Sequence, residues 1–125
     1  VKEKSMRIQM LKSKIHRATV TDADLNYEGS VSIDPALCDK AQLHFFEKVE
    51  IYNCNTGARF ATYVIQGKPG EICLNGAAAR HVLKGDIVII VSYAEMSREE
   101  YDNFEQKIVM VDEKNRPKNL EMSQF

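Results

Sequence analysis

The chain of 125 residues has no tryptophan and contains only three cysteines, three histidines and three prolines. The cysteines, Cys38, Cys54 and Cys73, are odd in number and widely spaced, which does not suit a disulfide framework. None of them belongs to a C-x-x-C pair or has a companion histidine at zinc spacing, so no metal site is predicted. We expect reduced thiols that pack as small hydrophobes, which is typical of a cytoplasmic protein.

Long hydrophobic segments and a charge excess are also absent from the sequence. The longest apolar run, residues 87–91, is far too short to span a bilayer, and the N-terminus has no secretory signal pattern. The formal net charge is -1, so neither nucleic acid nor an anionic membrane is predicted as a partner.

One local charge asymmetry remains at the N-terminus. Basic residues crowd this segment and only Glu3 opposes them: Lys2, Lys4, Arg7, Lys12, Lys14 and Arg17. Such a cluster indicates either a solvated basic face or a site for an anionic ligand. Residues 1–5 precede Met6 and are interpreted as an expression remnant or a misassigned start.

Length and composition fit one domain over residues 1–125, with 44% hydrophobic and 28% charged residues as in ordinary soluble proteins. Alternating and β-branched residues predict these strands: 7–16, 30–34, 47–53, 59–66, 71–74, 87–93 and 108–111. The apolar run in residues 87–93 predicts a strand buried on both faces. Many short strands, tight turns and little helix predict a mainly β fold, a small closed barrel with short helices.

A first short helix is predicted from its start signals. Asp34 and Pro35 resemble an N-cap followed by a first-turn proline, and the helix should run to about Ala41. The preceding polar segment, residues 21–24, is predicted as a turn or a short helical start.

A second short helix is predicted near the C-terminus. Ser97 and Glu100 form a capping-box pattern, so residues 98–105 are predicted to be helical. The polar tail from Asp112 is expected to fray.

The pair Gly29 and Ser30 can carry unusual backbone chemistry. A serine hydroxyl can attack the preceding carbonyl, which turns the peptide bond into an ester, and elimination then breaks the chain. The new N-terminus is a pyruvoyl group, a ketone that serves as an electron sink without an imported cofactor. We expect an uncommon backbone conformation at Gly29, which glycine tolerates. A Gly-Ser pair arises by chance about once in 200 residues, however, and a polar turn is its ordinary interpretation.

The motifs around this pair favour the chemical interpretation. They occur in the order 10–18 (MLKSKIHRA), 25–30 (LNYEGS), 55–63 (NTGARFATY), 75–80 (NGAAAR) and 85–90 (GDIVII). In order and spacing they resemble the bacterial pyruvoyl-dependent aspartate decarboxylase family, over most of the chain from about Met6 to Tyr93. The resemblance implies decarboxylation of L-aspartate to β-alanine and CO₂, for pantothenate and coenzyme A biosynthesis.

The resemblance also implies an architecture and a maturation step. It implies a double-psi β-barrel, a homotetramer with active sites between neighbouring subunits, and self-cleavage between Gly29 and Ser30. Cleavage would leave a β chain, residues 1–29, and an α chain, residues 30–125, that begins with the pyruvoyl group formed from Ser30. That group is implied as the cofactor, with no metal and no PLP. Whether maturation needs a partner protein stays open.

Roles in processing and catalysis follow from the same resemblance. Thr62 is implied as the hydrogen-bond donor to the Gly29 carbonyl oxygen during cleavage, and Asn75 as support for the pyruvoyl region. The ketone formed from Ser30 would make a Schiff base with the substrate amine, and Tyr63 would donate the proton that completes the reaction.

Substrate binding is implied for two cations and a turn of small residues. Lys14 and Arg59 would bind the two carboxylates of aspartate, and which of them binds which carboxylate stays open. The backbone of Gly76, Ala77 and Ala78 would line the pocket, where small side chains let main-chain N–H groups reach an anion.

Simpler interpretations stay open for these residues. Thr62 and Tyr63 also suit ordinary strand positions, and Lys14 and Arg59 also suit a solvated surface. Two other functions are a pyruvoyl decarboxylase of another small amino acid and a non-catalytic barrel that binds nucleic acid through the basic N-terminal segment. An uncleaved, inactive precursor is a third possibility.

Overall fold

Eight β-strands supply most of the regular structure in the computed structural model, which describes residues 6–118. Residues 1–5, interpreted above as a remnant or misassigned start, lie outside the described residues. The strands are β1 (Ile8–Thr19), β2 (Asp22–Asp24), β3 (Ser30–Ile33), β4 (Lys48–Asn53), β5 (Arg59–Gln66), β6 (Ile72–Asn75), β7 (Ile87–Met96) and β8 (Lys107–Met110). The helices are α1 (Pro35–Ala41), α2 (Arg98–Asn103) and a 3-10 helix (Gly76–His81). The predicted mainly β fold with short helices is confirmed.

The eight strands form one strongly curled sheet, in which the strand order is β2-β6-β3-β5-β4-β7-β1-β8. Only Val20 and Thr21 separate β1 from β2 along the chain, although six ladder steps separate them in the sheet. A flat sheet would hold them about 29 Å apart at its usual strand spacing. Three peptide steps span at most about 10 Å, so the sheet must curl back on itself as in a small barrel. Within residues 6–118 β2 and β8 form no ladder with each other, and complete closure stays a prediction.

The core lies inside this curl and follows strand alternation. On β4 the fully buried Val49 and Ile51 alternate with half-buried Glu50, and residues 87–90 of β7 alternate in the same way. Strands β3 and β6 differ, because every one of their residues is buried. Their polar side chains are therefore enclosed, and these side chains build the candidate site.

Both helices begin where their capping signals predicted. The Asp34 side chain accepts a hydrogen bond from the Ala36 backbone N–H at 2.8 Å, and Pro35 opens α1. The Ser97 and Glu100 capping box is present at the start of α2, which ends at Asn103, two residues before the predicted end.

One prediction of local structure is wrong and a second holds only in part. Residues 21–24 were predicted as a turn or helical start, but Asp22–Asp24 form strand β2, parallel to β6. The cause is a long-range pairing that a local pattern does not reveal. The predicted burial of residues 87–93 on both faces holds only in part, because Ile89 is half-buried whereas Val91, on the same face, is buried.

Residues 112–118 of the polar tail are ordered, contrary to the expected fraying, and residues 119–125 of that tail lie outside the described residues. Val111 pairs with Pro117 in an antiparallel bridge. The side chain of Asn115, in the turn between these two residues, is buried. The Asn115 side-chain amide donates to the Thr19 carbonyl at 2.8 Å and to the Gly70 carbonyl at 3.0 Å. These bonds fix residues 111–118 against the barrel.

Candidate active site around Ser30

Ser30 is the first residue of β3 and is fully buried between neighbouring strands. Its hydroxyl donates a hydrogen bond to the Glu28 carbonyl oxygen at 2.8 Å. It also accepts one from the side-chain amide of Asn75 at 3.0 Å. The hydroxyl is therefore folded back along the backbone of Glu28 and Gly29, the segment that self-cleavage would break.

Asn75 holds Ser30 through an antiparallel pairing of β3 with β6. The two residues are register partners, and Ser32 is the partner of Cys73 two residues away on the same face. The Asn75 amide nitrogen also donates to the Ser32 hydroxyl at 3.0 Å, and its oxygen accepts from the Cys73 thiol at 3.3 Å. We call these four residues, Ser30, Ser32, Cys73 and Asn75, the β3–β6 polar network.

Sequence reasoning missed two members of this network. Cys73 was predicted only as a small hydrophobe, and Ser32 only as a strand residue. Their period-two spacing from Asn75 and from Ser30 is the signal that could have found them, once the two strands were known to pair.

Gly76 lies directly against the turn at Gly29, where self-cleavage is predicted. Its φ is +64°, and a Cβ added there would lie 2.6 Å from the Gly29 nitrogen and 2.9 Å from the Tyr27 carbonyl oxygen. Only glycine permits this approach without a shift of backbone. The expectation of an uncommon conformation at Gly29 is wrong for φ, which is not positive there, and a Cβ on Gly29 would meet nothing within 4 Å.

The two alanines that follow Gly76 differ in their burial. Ala77 is exposed, whereas the side chain of Ala78 belongs to the hydrophobic core cluster. Both lie in the 3-10 helix that begins at Gly76. The prediction that the backbone of these alanines lines the substrate pocket stays a prediction.

Tyr63 is brought next to Ser30 by the parallel pairing of β5 with β3. Val31 and Val64 are register partners, and Ser30 and Tyr63 each precede them by one residue. Neighbouring strands are about 5 Å apart, so the two residues are adjacent across the ladder. The Tyr63 ring also contacts Phe46, with ring centroids 6.1 Å apart.

Thr62 points to the other side of β5 from Tyr63, because successive side chains of a strand alternate. It is half-buried, and within residues 6–118 no hydrogen bond joins its hydroxyl to Gly29. Its predicted role in cleavage therefore has no contact to support it in the single chain.

Arg59 begins β5 and lies on an exposed aromatic cluster. Its guanidinium carbon is 4.0 Å from the centroid of the Tyr52 ring, a cation–π contact. The Tyr52 hydroxyl is 2.7 Å from the Tyr93 hydroxyl and donates to Glu50 at 3.2 Å. The hydrogen bond with Tyr52, together with burial, raises the pKa of Tyr93 to about 12, so this phenol keeps its proton.

Strand pairing places neither predicted substrate cation beside Ser30 within one chain. Lys14 lies on β1 beside Val91 of β7, four ladder steps from β3. Arg59 lies four residues before Tyr63 on β5, about 13 Å along the strand. Within the single chain, strand pairing therefore places Asn75 and Tyr63 beside Ser30, but not Lys14 or Arg59.

A surface pocket of about 210 Å³ opens beside the polar network. Ser32, Cys73 and Asn75 line it together with Tyr27 and three acidic residues: Asp22, Asp24 and Glu71. The acidic lining does not suit a dicarboxylate such as aspartate. Among the described residues there is no group of three or more His, Cys, Asp or Glu side chains that could hold a metal ion.

No helix between residues 6 and 118 is long and apolar enough to cross a membrane. The basic N-terminal segment is partly neutralised by ion pairs, Arg7 with Glu100 at 3.2 Å and Lys12 with Glu47 at 2.8 Å. These pairs weaken the interpretation of that segment as a nucleic-acid arm.

Comparisons with known proteins agree with the resemblance seen in the sequence. Residues 6–118 match the family model described as aspartate decarboxylase. An aspartate 1-decarboxylase of Bdellovibrio bacteriovorus is 63% identical over 111 residues, which cover 89% of this chain and 90% of the relative. One of Campylobacter hominis is 64% identical over 110 residues, covering 88% and 96%, and one of Syntrophus aciditrophicus is 60% identical over 116 residues, covering 91% and 100%.

Proposed function

This chain belongs to the aspartate decarboxylase family, and on that premise we propose that it decarboxylates L-aspartate to β-alanine and CO₂ with a pyruvoyl group made from its own Ser30. The product would serve pantothenate and coenzyme A biosynthesis, and the reaction class is that of a carboxy-lyase. The observation that carries the proposal is the buried Ser30 hydroxyl, folded back on the Glu28 backbone and held by Asn75.

Self-cleavage would begin when the Ser30 oxygen forms a bond to the Gly29 carbonyl carbon. The Gly29–Ser30 C–N bond then breaks, which leaves an ester and a free amine on residue 30. Elimination transfers the Ser30 oxygen to Gly29 as a carboxylate, and the dehydroalanine left at residue 30 takes up water and loses ammonia to give the ketone. Asn75 fixes the attacking oxygen, and Gly76 lets the turn lie close enough to be held.

The surroundings of Ser30 suit a pyruvoyl group at this position. The residue is shielded from water, and the Asn75 amide supplies a hydrogen-bond donor aimed at its side chain. When present, the pyruvoyl group provides an electron sink for the carbanion that the loss of CO₂ leaves. No metal and no PLP enter this scheme.

Tyr63 is the candidate proton donor in the same scheme. It is adjacent to Ser30 across the β3–β5 ladder, and its ring is steadied by contact with Phe46. A phenolic hydroxyl can donate a proton to a carbanion formed beside it, and such general acid catalysis contributes about 10²- to 10⁴-fold.

Lys14 and Arg59 would bind the substrate carboxylates from another subunit. Within one chain strand pairing places neither cation beside Ser30, and an assembly in which one subunit presents these cations to its neighbour would complete the site. Large apolar side chains stay exposed on the single chain, Phe46 at 77% and Tyr27 at 55%, which supports burial between subunits. We therefore propose the homotetramer implied by the resemblance, in the cytoplasm, where the thiols would stay reduced.

The activity test compares the wild type with Ser30→Ala in the conversion of aspartate to β-alanine. We expect β-alanine from the wild type and none from Ser30→Ala. Ser13→Ala is the matched control, because Ser13 is also fully buried and its hydroxyl has no partner among the described residues. If Ser30→Ala makes β-alanine, the pyruvoyl proposal is wrong. If the wild type acts only on another amino acid, the substrate assignment is wrong.

A further inference from the structure

Cys73 is placed to control the side chain that holds Ser30. It lies two residues before Asn75 on β6, is only 6% exposed, and its sulfur is 3.3 Å from the Asn75 side-chain oxygen. A thiol is a weak hydrogen-bond donor. The Asn75 oxygen therefore has a donor of its own, on the side away from the serines.

The donor and acceptor count of the β3–β6 polar network selects one orientation of the Asn75 amide. The Asn75 nitrogen has two N–H groups, and it lies 3.0 Å from both the Ser30 and the Ser32 hydroxyl oxygens. The only proton of the Ser30 hydroxyl goes to the Glu28 carbonyl oxygen. A rotated amide would set the Asn75 oxygen against a Ser30 oxygen that has no proton left to give.

The thiol of Cys73 keeps its proton at neutral pH. Burial raises the pKa of Cys73 to about 11, and the nearby carboxylates Glu71, Asp22 and Asp24 act in the same direction. A thiolate in this position would repel the Asn75 oxygen, whereas the protonated thiol donates to it.

We infer that Cys73 is a positioning residue for self-cleavage: its thiol holds the Asn75 amide so that the N–H groups face Ser30 and Ser32. This inference rests on the proposed function. Without the thiol, the Asn75 side chain gains rotational freedom and leaves the Ser30 oxygen less well placed for attack on Gly29. A single hydrogen bond of this kind changes a rate by about two- to ten-fold.

The test measures the rate at which freshly purified precursor separates into two chains, by denaturing electrophoresis over time. Cys73→Ala should cleave about two- to ten-fold more slowly than the wild type. Cys73→Ser, which restores a donor, should cleave within about two-fold of the wild-type rate. Cys38→Ala is the matched control, since Cys38 is a buried thiol of similar exposure in α1, outside the polar network.

Rescue by serine separates a donor effect from a packing effect. The inference is overturned if Cys73→Ala cleaves at the wild-type rate, if Cys73→Ser is as slow as Cys73→Ala, or if Cys38→Ala is slowed equally.

A second measurement, made on the uncleaved chain, tests the role of Cys73 independently of the proposed function. If the wild type never cleaves, the proposed function fails, and NMR of the intact chain then decides the role of Cys73. Hydrogen exchange of the Asn75 side-chain amide should be faster in Cys73→Ala than in wild type and in Cys73→Ser. Equal exchange in all three would overturn the inference.

Discussion

Gly76 packs on the backbone of Gly29 so closely that no side chain fits between them. A Cβ on Gly76 would lie 2.6 Å from the Gly29 nitrogen and 2.7 Å from its Cα, and both contacts are with backbone atoms that do not move alone. The turn that holds the proposed scissile bond is therefore shaped by a residue 47 positions further along the chain. Gly76 acts here as a support for Gly29, in addition to its predicted place in the substrate pocket.

Gly76→Ala should prevent or strongly slow self-cleavage. The added methyl group must push the Gly29 backbone away, and alanine at a positive φ costs about 1–2 kcal/mol in addition. The fraction of cleaved chain after a fixed time measures the effect. Gly57→Ala is the matched control, because Gly57 has φ +80° and a Cβ there would meet nothing within 4 Å. Equal cleavage in the two variants would contradict the packing argument.

Asn75→Ala should lower both the stability and the rate of cleavage. Removal of the amide leaves the Ser32 hydroxyl and the Cys73 thiol without their partner, which costs about 1–3 kcal/mol in the free energy of unfolding. Asn115→Ala removes another buried amide with several hydrogen bonds and should cost a similar amount. Only Asn75→Ala should cleave slowly. If Asn115→Ala also cleaves slowly, the slow cleavage of Asn75→Ala would be explained by its lower stability alone.

The parts of the fold that local sequence signals determine were predictable. Asp34 and Pro35 mark the start of α1, and the Ser97–Glu100 capping box marks the start of α2, because caps depend on residues within one turn. The hairpin of β4 and β5 also follows from its alternating strands and the glycine turn between them.

The parts that long-range pairing determines were not predictable from one sequence. Asp22–Asp24 become a strand because β6 is there to pair with them, and Asn115 is ordered because Thr19 and Gly70 accept its hydrogen bonds. In the same way, the motifs identified Ser30 and Asn75, but the role of Cys73 depends on the register of two strands.

Arg59→Ala should raise the KM for aspartate by roughly ten-fold or more, with a smaller effect on kcat. Loss of a charge-assisted hydrogen bond to a carboxylate weakens binding of the substrate and of the transition state together. Steady-state kinetics of fully matured protein measures both constants. Arg98→Ala is the control, because Arg98 is an exposed cation on α2 paired with Asp102. An unchanged KM for Arg59→Ala would remove Arg59 from the substrate site.

Glu47 should contribute to stability at neutral pH and lose that contribution in acid. Burial alone would raise its pKa, but hydrogen bonds from the His44 backbone N–H, Lys12 and Ser92, with the charge of Lys12, together lower the pKa below its usual value. A lowered folded-state pKa means that the stabilisation is complete above the unfolded-state value of 4.5 and is lost as the pH falls through the folded-state value.

The comparison of wild type with Glu47→Gln tests this contribution. The wild type should have the larger free energy of unfolding at pH 7, and the difference should shrink as the pH falls below about 5. Denaturant unfolding at a series of pH values measures it. A difference that does not change with pH would show that the carboxylate charge of Glu47 has no role.

Intact-mass measurement of matured protein tests the central claim most directly. The account predicts two chains that part after Gly29, the longer one beginning with a pyruvoyl group in place of Ser30, and a Ser30→Ala variant that stays whole. Matured wild type that remains a single chain and still decarboxylates aspartate would contradict the account.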